Sequence, residues 1–175
     1  MAAQEQHAPV VIVGAGPVGM TTALDLAQRG VDVIILEKKA QGDAPRQRCN
    51  HIAAKTLETF RRLGVADEIR NAGLPADYPQ DINYVTSLNG YELTRIRIPA
   101  RNDRFGTTGY ADSGWPTPEP PHRCNQMYFE PILQRHMLAS PRVRAFFNTE
   151  VEAVAQDADG VRVTARRTDT GETVH

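Results

Sequence analysis

Three glycines and one carboxylate carry the chemistry this chain can do. Gly14, Gly16 and Gly19 form G-x-G-x-x-G directly after the apolar run Val10–Val13, and Glu37 closes a second apolar run, Val31–Leu36. In this spacing the first glycine permits a tight turn, the second lets the backbone approach a pyrophosphate, and the third lets a helix pack closely on a strand. Pro17 stands in the first helical turn, where a missing N–H costs nothing, and with Val18 it completes the loop at the helix N-terminus that would cradle phosphates. Glu37 lies eighteen residues beyond Gly19. A carboxylate at a strand tip can accept hydrogen bonds from ribose hydroxyls, and it repels a 2′-phosphate. These residues point to the adenosine of FAD or NAD and away from NADP.

The elements that must position them are written around them. Val10–Val13 is an unbroken run of β-branched residues, as expected of a parallel strand buried on both faces. Met20, Ala23, Leu24 and Ala27 recur at helical spacing and give the following helix one apolar face. Gly30 stops that helix after Arg29, and Val31–Leu36 supplies the second strand, with Glu37 and Lys38 at its end. Strand, helix, second strand and terminal acid agree on a dinucleotide-binding βαβ unit, whereas the glycine pattern alone would be weak.

Composition narrows the class. The 175 residues suffice for one domain with a real core, and 20 Lys and Arg against 21 Asp and Glu leave the chain near neutral. No nucleic-acid footprint is expected, and Arg61-Arg62 and Arg95/Arg97 read as solvated faces. Cys49 and Cys124 match no metal or redox spacing. They fit a reduced, cytoplasmic chain, with a disulfide left open by the sequence. No secretory signal is apparent at the N-terminus, and no apolar run is long enough to span a membrane. His51, His122 and His136 have no spacing that makes them ligands or a nucleophile–base pair, so they are expected to be structural or exposed. No metal and no catalytic residue is assigned.

Farther along, residues 40–51 form a polar connection. A helix is predicted over 53–63, with Ala53, Leu57, Phe60 and Leu63 at helical spacing and Gly64 to stop it, and a short continuation runs to Gly73. Ile82/Tyr84 and Ile96/Ile98 alternate about Asn89-Gly90, which predicts a hairpin. Residues 100–123 are rich in Gly, Pro and Asp and read as a loop or excursion. A helix is predicted over 127–139, carrying Tyr128, Ile132, Leu133 and His136. Val143–Phe147 returns as a strand, and Val151–Gln156 with Val161–Arg166 flank a second hairpin turn at Asp157–Gly160. A third strand is expected after Thr170-Gly171.

Three segments resemble the FAD-dependent aromatic hydroxylases, single-component flavin monooxygenases of the para-hydroxybenzoate hydroxylase type. They are Val11–Met20 with Glu37-Lys38, Pro45–Gly64, and Pro121–Leu133, which contains Gln126-Met-Tyr-Phe-Glu-Pro-Ile-Leu133. The resemblance implies an α/β fold: a Rossmann-like FAD-binding βαβ unit with inserted antiparallel hairpins. It also implies that residues 1–175 are the N-terminal, incomplete portion of a larger monooxygenase fold, with 80–125 an inserted hairpin and loop belonging to the substrate-side sheet. By the same likeness Arg48 lies over the FAD ribose–pyrophosphate, with Arg46 its competitor, and Gln126 contacts the ribityl or ribose region. Lys38 accompanies Glu37 in the cofactor site. A guanidinium suits such a phosphate position.

The family's later Gly-Asp segment, whose aspartate holds the ribityl chain, has no counterpart; Gly42-Asp43 and Asp159-Gly160 stand in the wrong context. The activity implied is hydroxylation of a small phenolic ring with NAD(P)H and oxygen, the hard chemistry belonging to the cofactor. A homo-oligomer stays open. The rival readings are an FAD- or NAD-dependent dehydrogenase or reductase, for which neither a cysteine pair nor a second glycine fingerprint is found, and a nucleotide-binding fragment without turnover.

Overall fold

The computed structural model describes residues 5–44, 48–103, 106 and 117–175; Arg46, Pro45 and most of the 100–123 segment's centre lie outside the described residues. In chain order the elements are β1 (Val10–Val13), α1 (Pro17–Gln28), β2 (Val33–Leu36), α2 (Ala54–Arg62), α3 (Ala66–Ala72), β3 (Ile82–Val85), β4 (Glu92–Ile96), α4 (Gln126–Ala139), β5 (Val143–Phe146), β6 (Thr149–Gln156), β7 (Val161–Arg167) and β8 (Thr173–Val174). A 3-10 turn occupies Arg101–Asp103. The chain divides into two compact units, Met1–Pro45 with Glu130–His175, and Arg46–Phe129.

The first unit is built on a parallel sheet ordered β1-β2-β5, with Val10 opposite Val33 and Val33 opposite Val143. Parallel strands need a crossover, and α1 supplies it between β1 and β2. Met20 and Ala23 are fully buried on α1, which packs against all three strands. Gly30, at φ 84°, ends the crossover in the left-handed conformation that glycine adopts at little cost. An antiparallel sheet ordered β6-β7-β8 lies on the parallel sheet, joined to it by a cluster of Ile34, Leu36 and Ala165 with Phe146, Val151, Val163 and Val174 around them. The predicted second hairpin and the third strand after it are both present, and the turn is held by Asp157, whose Oδ1 accepts from the Asp159 and Gly160 N–H groups.

One expectation is corrected here. β2 is buried along its whole length, but β1 is not buried on both faces: Val11 is 37% and Val13 58% exposed. Among the described residues β1 pairs with β2 alone, and the antiparallel sheet leaves an opening of about 400 Å³ lined by Val11, Ile34, Leu36, Phe146 and Val163.

In the second unit α2 and α3 bury Leu57, Phe60, Val65 and Ile69, and the Phe60 and Phe129 rings meet at 6.4 Å. Gly64, at φ 79°, makes the corner between the helices. Ala53 does not share the buried stripe; it is the exposed residue preceding α2, and Ala54 is buried in its place. β3 and β4 form the expected hairpin, Ile82 opposite Ile96, with the chain turning through Ser87–Gly90. On α4 the buried stripe is Phe129, Ile132, Leu133 and Met137. Tyr128 is 56% exposed, while Phe129 beside it is buried against the Phe60 ring.

His122 is structural, as expected of it. It exchanges two backbone hydrogen bonds with Ile52 at 2.8 and 2.9 Å, and its ring lies so close to Gly73 that a Cβ there would fall 2.1 Å from Nε2. Burial, reinforced by repulsion from Arg70 and Arg101, pushes its pKa from 6.5 down to about 4. The unfolded chain therefore takes up this proton first, and the stability it contributes is complete above pH 6.5 and is lost as the pH falls towards about 4. Replacing His122 with leucine, which also removes an Nε2 lacking a hydrogen-bond partner, is expected to flatten the dependence of the urea midpoint on pH across that window. An unchanged slope would assign the acid sensitivity to another group.

Candidate functional site

The three glycines of the loop between β1 and α1 are used in three different ways. Gly14 sits at φ 99°, and its N–H donates to the Leu36 carbonyl at 2.7 Å, which extends the β1–β2 ladder past the end of β1. At Gly19 a Cβ would lie 2.0 Å from the Gly14 carbonyl oxygen and 3.3 Å from Ile12, so the helix can approach the strand only without one. Gly16 is different. Its φ of −76° is open to any residue, and a Cβ there would meet no atom of the chain within 4 Å. Neither backbone strain nor internal packing calls for glycine at this position; the bare backbone faces outward.

That outward face is the N-terminus of α1. Gly16 is its cap residue, Pro17 its first residue, and no side chain caps the helix. No acidic residue stands in its first turn, and the positive end of the helix dipole faces this loop. Val18, on that turn, is 81% exposed. An anion placed here would meet backbone donors, a favourable dipole and open space over Gly16.

Glu37 borders this loop. Its Oε2 accepts the Ala15 N–H at 2.8 Å, and its Oε1 accepts the Lys39 N–H at 3.0 Å. Each carboxylate oxygen has a second lone pair, so both retain capacity to accept from a hydroxyl. The backbone of Glu37 is held as tightly: its N–H donates to Phe146, and its carbonyl accepts from Thr149, both at 2.9 Å. The neighbouring Lys38 pairs with Glu150 at 3.7 Å on the surface, a contact of little energetic weight. Ala15 was not singled out in the sequence, and nothing in its side chain could have marked it; its contribution is a backbone N–H.

The remaining candidates belong to the second unit. The segment leading from Arg48 to Ile52 runs alongside the segment from His122 to Gln126, with the Gln126 N–H donating to the Cys49 carbonyl at 2.7 Å. Arg48 and Gln126 are thus brought onto neighbouring stretches of chain, Arg48 exposed and Gln126 at the first position of α4. Arg123 ties these stretches to the rest of the unit by donating to the Gln80 carbonyl at 3.1 Å. Cys49 and Cys124 are free thiols, and burial pushes the Cys124 thiol up to about 11. Among the described residues no cluster of His, Cys, Asp and Glu could hold a metal ion, and no helix is long and apolar enough to cross a membrane.

A parallel βαβ unit with open space over the second glycine of its loop and an acid at the tip of the second strand defines a dinucleotide-binding domain. The family of FAD binding domains matches residues 7–175, and the chain belongs to it. Among curated relatives it is 33% identical to the 2,4-dichlorophenol 6-monooxygenase of Delftia acidovorans, over 90% of this chain and 26% of that protein. It is 30% identical to the FAD-dependent monooxygenase apdD of Emericella nidulans (strain FGSC A4 / ATCC 38163 / CBS 112.46 / NRRL 194 / M139), over 93% of this chain and 26% of that one. The chain spans about a quarter of the length of these relatives. Of solved structures, the rebeccamycin biosynthetic enzyme RebC with reduced flavin superposes with a TM-score of 0.77 at 35% identity, over 99% of this chain and 31% of that one. The flavin-dependent monooxygenase PieE in complex with FAD and substrate gives 0.80 at 27% identity, over 98% and 29%.

The glycines separate binding from folding. Gly16→Ala is expected to leave stability within about 1 kcal/mol, the scale of a helix-cap change, while weakening FAD binding. Gly19→Ala should instead lose about 1–3 kcal/mol through overpacking. Urea denaturation and quenching of FAD fluorescence measure the two effects, and full FAD affinity in Gly16→Ala would remove the loop from the site.

Proposed function

We propose that this chain is the adenosine-binding part of an FAD-dependent monooxygenase that hydroxylates a small phenolic substrate with NAD(P)H and oxygen. The observation that carries the reading is the Glu37 carboxylate, held 2.8 Å from the Ala15 N–H at the mouth of the glycine loop. There it can accept from ribose hydroxyls while the pyrophosphate lies over Gly16 at the helix N-terminus. The phenolic substrate class rests on the names of the relatives, among which 2,4-dichlorophenol 6-monooxygenase is one.

In this reading Gly14, Gly16, Pro17, Val18 and Gly19 form the phosphate cradle. Glu37 orients the ribose and disfavours a 2′-phosphorylated one, and Lys38 adds positive charge at the rim. Arg48 supplies forked donors to the ribose–pyrophosphate, and Gln126 hydrogen-bonds the ribityl or ribose region. The residues present suit the group: open backbone for the phosphates and a carboxylate for the ribose. FAD, when bound, would supply the redox and oxygen-activating chemistry. What this chain contributes is position, and none of its residues is assigned a chemical step.

The test uses protein expressed from its complete reading frame, supplied with FAD, reduced nicotinamide, phenols and isotopically labelled oxygen. A phenol product carrying the label supports the reading. Nicotinamide oxidation that yields hydrogen peroxide alone across the phenols, or transfer of hydride with no use of oxygen, overturns it in favour of an oxidase or dehydrogenase. Within the site, Glu37→Ala is expected to weaken FAD binding by about 1–3 kcal/mol, the usual loss for a charged hydrogen-bond partner. Arg48→Ala should weaken it more than Arg46→Ala does, and the reverse order would shift the register of that loop.

A further inference from the structure

The turn between β5 and β6 holds the one non-glycine residue with positive φ among the described residues, Asn148 at φ 51°. Left-handed backbone costs an L-residue roughly 1–2 kcal/mol, least for asparagine and aspartate, so the surroundings must over-determine it. Both of its backbone groups are engaged. Its N–H donates to the Lys39 carbonyl at 3.0 Å, and its carbonyl accepts from the Thr168 N–H at 2.7 Å. The Lys39 N–H, on the peptide unit preceding the carbonyl so held, donates to Glu37 Oε1, and Glu37 Oε2 accepts from Ala15 in the glycine loop. The next residue, Thr149, is buried and donates its N–H to the Glu37 carbonyl.

We propose that Asn148 is a positioning residue for the nucleotide site: its left-handed turn anchors the Lys39 backbone by its carbonyl, and the Lys39 N–H, on the adjoining peptide, aims the Glu37 carboxylate at the glycine loop and the ribose. It touches no cofactor in this account and acts only through Glu37. A residue that cannot hold φ near 51° must withdraw its N–H from Lys39. The Lys39 N–H then has no fixed direction, and the carboxylate swings between its loop-facing rotamer and others. Glycine holds the same backbone without strain, whereas β-branched valine is the residue least able to do so.

This inference rests on the assignment of Glu37 to the ribose, and two readouts keep the two apart. Hydrogen exchange of the Ala15 and Lys39 amides in the chain reports the carboxylate's position without any ligand. Asn148→Gly is expected to keep their protection, and Asn148→Val to lose roughly tenfold in both, the factor that corresponds to the left-handed penalty. In the FAD titration Asn148→Val is expected to bind roughly tenfold more weakly and Asn148→Gly within about twofold of the parent. In a Glu37→Ala background, Asn148→Val should add less than about twofold, because its route to the ribose is gone.

Unchanged Ala15 and Lys39 protection in Asn148→Val overturns the proposal whatever FAD does. So does a valine effect on FAD that persists at full size without Glu37. Equal FAD affinity in Glu37→Ala and the parent would instead overturn the ribose assignment, while the exchange result still decides the positioning. Should the valine variant not fold, as judged by far-ultraviolet circular dichroism, Asn148→Ala takes its place with the same ordering expected against glycine.

Discussion

The glycine loop is closed on the tip of β2 by one hydrogen bond, from the Ala15 N–H to the Glu37 carboxylate. Parallel pairing of β1 with β2 brings their C-terminal ends side by side, and the Gly14 N–H continues the ladder one step beyond it. At that point the chain of β1 must leave the sheet for α1 while β2 ends, and a regular ladder has no further bond to offer. The carboxylate provides it. A hydrogen bond to an ionised acceptor is about twice as strong as a neutral one, and here it closes the loop against the strand tip. The same group that would read the ribose therefore also shapes the cradle for the phosphates, which couples the two halves of recognition through a single side chain.

The glycine fingerprint divides along the same line. Gly14 and Gly19 answer to the interior: one to a left-handed backbone, the other to a carbonyl oxygen that a Cβ would strike. Gly16 answers to nothing inside the chain. A structural glycine turn that bound no ligand would need the first and third of these but not the second. The openness over Gly16 is thus a property of the outside, and it separates a binding loop from a merely tight one more cleanly than the spacing of the three glycines does.

Much of this was legible in the sequence because the signals are local. Val10–Val13, the Met20 and Ala23 stripe, Gly30 and the strand ending at Glu37 follow from periodicity and stop residues that act within a few positions. Both hairpins announce themselves through Asn89-Gly90 and Asp157–Gly160. What was not legible depends on partners distant in sequence. β1 has the composition of a strand covered on both faces, yet its exposure is set by what packs over those faces, and the opening beside Val11 leaves it uncovered. On α4 the rows 128/132/136 and 129/133/137 have equal claim by spacing, and which of Tyr128 and Phe129 is buried is decided by packing that spacing does not encode. Asn148 carries a weak local hint, since asparagine tolerates left-handed backbone, but the need for it arises from Lys39 and Thr168, far away on either side.

The tip of β2 also explains how the antiparallel sheet is seated. Three residues, Ile34, Leu36 and Ala165, form the fully buried part of the cluster between the two sheets, and the opening beside Val11 shows that the apolar contact is incomplete. Burial is non-directional and would tolerate sliding of one sheet over the other. Hydrogen bonds do not. Thr149 to Glu37, Asn148 to Lys39 and Thr168 to Asn148 are all backbone pairs, each worth on the order of 1 kcal/mol net but fixed in direction and register. They set where β6 departs from the parallel sheet, and they do so at the residues that carry the Glu37 carboxylate. Seating the antiparallel sheet and holding the Glu37 carboxylate are consequently one geometric event, so a change at the β5–β6 turn reaches Glu37 before it reaches the glycine loop.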